Sequence, residues 1–229
     1  MKEHRNYNPL ISVIMSVYNG AETVVEAIES ILTQTFNDFE FIIINDGSTD
    51  QTKKIIKSFS KKDKRIILVN QNNIGLTKSL NKAVNLSKGN IIARQDADDV
   101  STPDRFMIQH QWLTKNSYDL CCCRTFLENK NRISPKIGFY IPKKILINFK
   151  NPFIHGTFML KKKTLIELGG YDENFKYAQD FKLIHDLYKN KKKIKYLSQA
   201  LYVSKTPKNS ISIKKRNEQK LYSKKLTFI

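Results

Sequence analysis

Three acidic side chains, Asp96, Asp98 and Asp99, follow closely on the apolar run Ile91-Ile92-Ala93. On an extended chain Asp96 and Asp98 project to the same side, where like charges repel unless a cation lies between them or one is protonated. Oxygen-only ligands suit Mg²⁺ or Mn²⁺, which commonly bridge one or two carboxylates to substrate phosphates. The alternative is an acidic loop in which Asp99 caps the following turn. Two further polar clusters, residues 16–19 and 45–50, also end apolar runs. No G-x-G-x-x-G follows the first of these runs and no G-x-x-x-x-G-K-[ST] occurs anywhere, so a phosphate here is not held mainly by a glycine cradle.

These clusters need elements to carry them. Apolar runs at residues 10–17, 39–44, 65–70 and 90–94 predict four strands. Between them, helical spacing predicts helices over 22–35, from a capping box at Ser48, Thr49, Asp50 and Gln51 to about Ser60, and from Leu76 to a close at Gly89. Strands and helices in strict alternation imply a mostly parallel sheet covered on both faces. In such a sheet ligands bind beyond the carboxyl ends of the strands, which gathers the three polar clusters along one edge. Downstream, Thr102-Pro103 opens a helix to about Lys115, with Pro at its first position. Strand-like runs follow at 118–125, 153–161 and 194–203, with helices at 164–168 and 179–188. Residues 128–150 are poorly patterned and read as a basic loop with a short helix near 143–148.

The chain has 229 residues, 40% hydrophobic and 27% charged, which suits one α/β domain with a tail. No apolar run approaches the ~20 residues of a membrane helix. The cysteines are consecutive, Cys121 to Cys123, so neighbours point to opposite faces and form neither a metal set nor a disulfide framework. A reducing cytosol fits them. The net charge is +19, and its excess is concentrated after residue 181, where 14 basic side chains face two acidic ones. Such asymmetry fits either an anionic partner surface or compositional drift. A nucleic-acid partner is disfavoured, because no recognisable module is present and aromatics do not interleave with the basic tail. Residues 205–229 mix lysines with Ile211, Ile213, Leu221, Leu226, Phe228 and Ile229, which reads as a segment lying on an anionic membrane.

Five segments, in order and at matching spacing, resemble family 2 glycosyltransferases of the GT-A fold, the bacterial surface-polysaccharide type. They are Ser12-Val13-Ile14-Met15-Ser16-Val17-Tyr18-Asn19, Asn45-Asp46-Gly47-Ser48-Thr49-Asp50, and Asn73-Ile74-Gly75 with Asn81. Then come Ala93-Arg94-Gln95-Asp96-Ala97-Asp98-Asp99 with Pro103, Arg105 and Gln109, and finally His155-Gly156, Gly169-Gly170-Tyr171-Asp172 and Gln179-Asp180. The resemblance covers about residues 9–190. It implies a GT-A domain over 1–203, with a donor half at about 9–100 and an acceptor half at about 101–203, ahead of a basic tail at 204–229.

The resemblance also implies roles. Asp46 contacts the nucleobase, usually uracil, with Ser16 and Tyr18 shaping that pocket. Asp96-Ala97-Asp98 matches the D-x-D motif, Asp96 facing ribose or sugar and Asp98 binding Mn²⁺ or Mg²⁺, with Asp99 beside it. Arg94 orients the carboxylates or touches phosphate. Asp180 is the general base, and its usual Glu neighbour is here Gln179. His155 and Gln179 face the acceptor or the diphosphate. The implied reaction is inverting transfer from a nucleotide sugar, a UDP-sugar by expectation, to a glycan or lipid-linked acceptor. It is expected in the cytoplasm, at the inner face of the membrane. Gln179 and the short C-terminus leave a weakly catalytic nucleotide-sugar- or glycan-binding protein as the alternative.

Overall fold

In the computed structural model, which describes residues 8–205 and 216–227, nine strands form one mixed sheet. Strands β1 (Ile11–Val17), β2 (Phe39–Asp46), β3 (Ile66–Gln71) and β4 (Ile91–Arg94) run parallel in the spatial order β3-β2-β1-β4. Strands β1, β2 and β4 are continuous apolar runs because both faces are covered, whereas β3 at the edge leaves Ile67 exposed. On β2, Phe39, Phe41 and Ile43 enter one core layer while Ile42 and Ile44 enter the other. Helices α1 (Val24–Leu32) and α2 (Thr52–Lys62) cover the first face and α3 (Leu76–Leu86) the second.

The sheet then changes direction. Strand β8 (Met159–Lys161) pairs antiparallel with β4 and with β6 (Leu120–Leu127), and β6 pairs parallel with β9 (Ile194–Ser204). The three-residue β5 (Asp99–Ser101) lies antiparallel on β9, and β7 (Arg132–Ser134) on β6. Helices α4 (Arg105–Lys115), α6 (Lys162–Glu167) and α7 (Gln179–Lys189) flank this half, with the short α5 (Lys143–Leu146) in the loop region. Cys121 and Cys123 fall in one core layer and Cys122 in the other, all three as buried free thiols.

Several boundaries differ from the sequence expectation. The capping box at residues 48–51 does not form: α2 begins at Thr52, whose N–H bonds the Asp50 carboxylate, and the Ser48 hydroxyl instead accepts the N–H of Asn19. Pro103 is not at the first position of α4, because Thr102, Pro103 and Asp104 form a turn whose carbonyls serve Gln34 and Thr35. The basic tail contains a helix, α8 (Arg216–Thr227), that packs on α7. Tyr222 of α8 meets the rings of Phe175 and Tyr177, and Leu226 is buried in the second core layer. Leu221 is exposed; Ile211, Ile213, Phe228 and Ile229 lie outside the described residues. Among the described residues no helix is long and apolar enough to cross a membrane.

Candidate active site

The parallel strands deliver their polar ends to one edge, and hydrogen bonds lace those ends together. After β1, the Asn19 side chain accepts the Thr49 N–H at 2.8 Å, and the Ala21 N–H reaches Asp50. Asp46, at the end of β2, is 2% exposed and its carboxylate accepts from Gln71, Ile74 N–H and Gly75 N–H at 2.8, 2.9 and 2.9 Å. It thus clamps the 73–75 loop while keeping about one of its roughly four acceptor positions. Gly47 stands at φ +76, and a Cβ there would meet the Asn73 backbone at 2.6 Å, so the next position admits only glycine. Ser16 is half-buried beside Ile44, and Tyr18 is exposed at the same edge.

The Asp cluster sits beyond β4. Arg94 is 2% exposed and donates to Asp96 at 2.6 Å, while among the described residues its buried Nε has no hydrogen-bond partner. The Asp96 N–H donates to the Tyr202 hydroxyl at 3.1 Å. Asp99 accepts the Lys205 N–H at 3.0 Å and a hydrogen bond from the Ser204 side chain. Asp99 therefore fastens the loop to β9 and, with two hydrogen bonds accepted, keeps acceptor positions beside Asp98. Among the described residues no donor outside Asp98's own backbone is recorded at its carboxylate. Burial, then the neighbouring Asp96 charge, pushes Asp98 up to about 6 and raises Asp99 as well.

Such crowding is what a cation relieves. Among the described residues no three metal-ligating side chains converge, so an ion at Asp98 would complete its shell from phosphate and water, as Mg²⁺ and Mn²⁺ commonly do. The donor set fits that class of ion.

Beneath the loop lies a buried scaffold. Arg105 is fully buried and donates to Arg94 O, Ser101 Oγ, Gln95 Oε1 and Gln109 Oε1, at 2.7 to 3.2 Å. Gln109 in turn donates to the carbonyls of Cys121 and Thr157. The same network therefore sets both the carboxylate loop and the His155-Gly156-Thr157 turn. Gly156 is there because a Cβ would collide with the Tyr202 hydroxyl and the Asp96 carboxylate.

The second half brings one more carboxylate. Asp180 lies in the first turn of α7, and the Asn151 amide donates to it at 2.6 Å. Burial pushes its carboxyl up to about 6, and the charge of Asp96 adds to the rise, so the two halves meet here. Ala178, just before α7, is held at φ 61, ψ 26, a left-handed conformation that costs an L-residue roughly 1–2 kcal/mol. Gln179 is 6% exposed. His155 bonds the Tyr171 hydroxyl at 3.0 Å, and burial followed by Arg94 pushes its imidazole down to about 3. It is held as a neutral imidazole bonded to Tyr171.

Sequence reading missed Asn151, Tyr171 and Tyr202 as contributors of hydrogen bonds. Tyr171 stood within a matched segment without a role. Tyr202 resembles any aromatic on a buried strand, and Asn151 precedes a proline in an unpatterned stretch, so neither carried a signal.

The comparisons with known proteins bear on family and fold. A family model described as Glycosyl transferase family 2 matches residues 12–169. An uncharacterized glycosyltransferase of Methanocaldococcus jannaschii is 35% identical over 225 residues, 94% of this chain and 77% of the relative. The O-antigen biosynthesis glycosyltransferase WbnJ of Escherichia coli is 35% identical over 178 residues, covering 76% and 70%. Staphylococcus aureus TarS in complex with UDP-GlcNAc superposes with a TM-score of 0.75 at 22% identity, over 87% of this chain and 59% of that one. The mannosyltransferase PcManGT of Pyrobaculum calidifontis, in complex with GDP-Man and Mn²⁺, gives 0.76 at 20% identity over 95% and 64%. The chain thus spans about three fifths of these two solved proteins. The solved structures agree on the GT-A fold, and the sequence matches extend through the Asp cluster. The chain belongs to glycosyl transferase family 2.

Proposed function

We propose that the chain transfers a sugar from a nucleoside-diphosphate donor, a UDP-sugar by preference, to an acceptor hydroxyl of a glycan or lipid-linked glycan in surface-polysaccharide synthesis, with inversion at the anomeric carbon. The observation that carries it is the convergence of the two halves of the sheet at Asp96, where Gly156 packs against the carboxylate and the Asp96 charge reaches the buried Asp180. Asp46, Ser16 and Tyr18 border the place for the base. Arg94 holds the Asp96 carboxylate toward ribose or sugar. A divalent cation at Asp98, Mn²⁺ or Mg²⁺, would supply charge neutralisation for the diphosphate and its departure.

Asp180 takes the proton from the acceptor hydroxyl as its oxygen attacks the anomeric carbon from the face opposite the leaving group. One such displacement inverts the configuration. A carboxyl raised toward neutrality is a better proton acceptor than an ordinary one and remains ionised at pH 7. The Asn151 amide fixes the oxygen that does not take the proton. His155 and Gln179 border the acceptor and diphosphate side. WbnJ is named for O-antigen biosynthesis, which supports the polysaccharide assignment.

The test is a screen of UDP- and GDP-sugars with Mn²⁺, following nucleoside diphosphate release and reading the product's anomeric configuration by NMR. Turnover is expected with at least one donor, lost in chelator and in Asp98→Ala, with the anomeric configuration inverted. Retained configuration would overturn the single displacement, and full activity in chelator would overturn the role of the cation. Nucleotide-sugar binding without transfer to any acceptor would favour a binding protein.

A further inference from the structure

Between Glu128 and Glu167 the sequence holds nine Lys or Arg and no acid. Within that stretch Ile137, Tyr140, Ile145 and Phe149 are 76%, 79%, 53% and 76% exposed. Lys136, Lys144 and Lys150 are exposed among them.

This is not a frayed loop showing its side chains at random, because the segment is bolted down from within. Arg124 donates to the Pro135 carbonyl at 3.1 Å and lies 5.1 Å over the Phe139 ring. Phe139 packs edge-on against Tyr196, and Lys143 turns inward to the carbonyls of Gly138, Phe139 and Ile141. Leu146 and Ile147 are buried. Successive helical hydrogen bonds run from Ile145 to Lys150, which puts Ile145 and Phe149, four apart, on one face. An anchored segment that turns several large apolar residues outward marks a contact surface.

The lysines decide what it contacts. A second copy would bring the same lysines against each other, whereas an anionic bilayer complements both the charge and the apolar side chains. We propose that residues 136–150 dock the protein on an anionic lipid surface, with Ile137, Tyr140, Ile145 and Phe149 entering the headgroup boundary and Lys136, Lys144 and Lys150 engaging lipid phosphates. This moves the membrane contact away from the C-terminal segment, where Leu226 is already buried against the body. It also gives the contact a position. A cavity of about 200 Å³ lies beside the patch, lined by residues including Pro135, Leu146, Lys150 and Asn151, and Asn151 is the residue that holds Asp180. A membrane-bound acceptor would reach the base from this side.

The test is flotation of the full chain with phosphatidylcholine vesicles and with vesicles doped with phosphatidylglycerol, needing no donor or acceptor. Binding is expected only to the anionic vesicles, weakening with salt. Lys136→Gln, Lys144→Gln and Lys150→Gln combined should lower partitioning about fivefold per lysine. Ile145→Ser with Phe149→Ser should lower it by at least about tenfold. A control with Lys214, Lys215, Lys220 and Lys224 changed to Gln should bind as the parent does. Nucleotide-sugar binding should survive in every variant, which separates this proposal from the assigned reaction. Absent binding, equal binding to neutral vesicles, or loss confined to the control overturns the proposal. So does a shift from dimer to monomer in sedimentation caused by the serine variant, since a second copy would then cover the patch.

Discussion

Asp46 and Asp180 face the same edge of the sheet, yet they are held in different ways. Asp46 ends a buried strand and takes three hydrogen bonds, two of them from backbone. Asp180 stands in the first turn of a helix behind a strained Ala178, where its carboxylate accepts backbone N–H groups of that turn and the amide of the half-buried Asn151. The donor side is thus fixed by sheet register and buried polar groups, which tolerate little change. The proposed acceptor side draws Asn151 from the 128–154 segment, whose outward residues such as Ile137, Tyr140 and Phe149 can vary while Leu146, Ile147 and Phe153 stay buried. On the proposed assignment, one fold keeps a constant nucleotide grip while changing what receives the sugar.

Changes on each side should separate binding from turnover. The largest effect is expected for Asp180→Asn, which keeps shape but cannot accept the proton; turnover should fall roughly 10²–10⁴-fold. Donor affinity, measured by calorimetry, should stay as it was or tighten slightly as a charge near Asp96 is lost. Loss of donor binding in a folded variant would place Asp180 on the wrong side of the comparison.

Next is pH. Asp180 works as the carboxylate and its folded-state pKa is raised to about 6, so kcat/KM for the acceptor should be flat above that value. Below it the rate should fall about tenfold per unit as the base protonates. An acid limb near pH 4, the ordinary range of an aspartate, would mean that the buried environment is not acting on it.

The smallest effect tests the donor side. Gln71→Met removes the amide that bridges Asp46 and Ser79. Stability should drop by about 1–2 kcal/mol in urea unfolding, and donor affinity several-fold, with kcat for bound donor unchanged. A matching fall in kcat would show that Asp46 and the base are coupled more tightly than two separate supports allow.

The same division explains what could be read from sequence. Strands β1, β2 and β4 were legible because two-sided burial writes continuous apolar runs, β3 by its short apolar run at the edge, and their polar ends had to fall on one edge. The cysteine run was legible for its alternation. Strand β5 was not, since Asp99-Val100-Ser101 becomes a strand only by pairing with Tyr202, Val203 and Ser204. Ser48 misled because its local pattern fits a cap while its hydroxyl is claimed by Asn19, a partner 29 residues away. Asn151 had no local signature at all: its role exists only once the fold brings it to Asp180.

The anchoring of the carboxylate loop by Tyr202 and Lys205 also bears on how the protein is made. Each of those hydrogen bonds spans 106 residues. On a ribosome, strands β1 to β4 can assemble from short β-α-β crossovers before β9 has been made. The Asp96–Asp99 loop then waits, with its carboxylates repelling one another and Tyr202 not yet translated. Long-range closures of this kind are slow to form. A nascent chain would therefore carry a nearly finished nucleotide edge well before it carried a competent centre, and β9 is the element that converts one into the other.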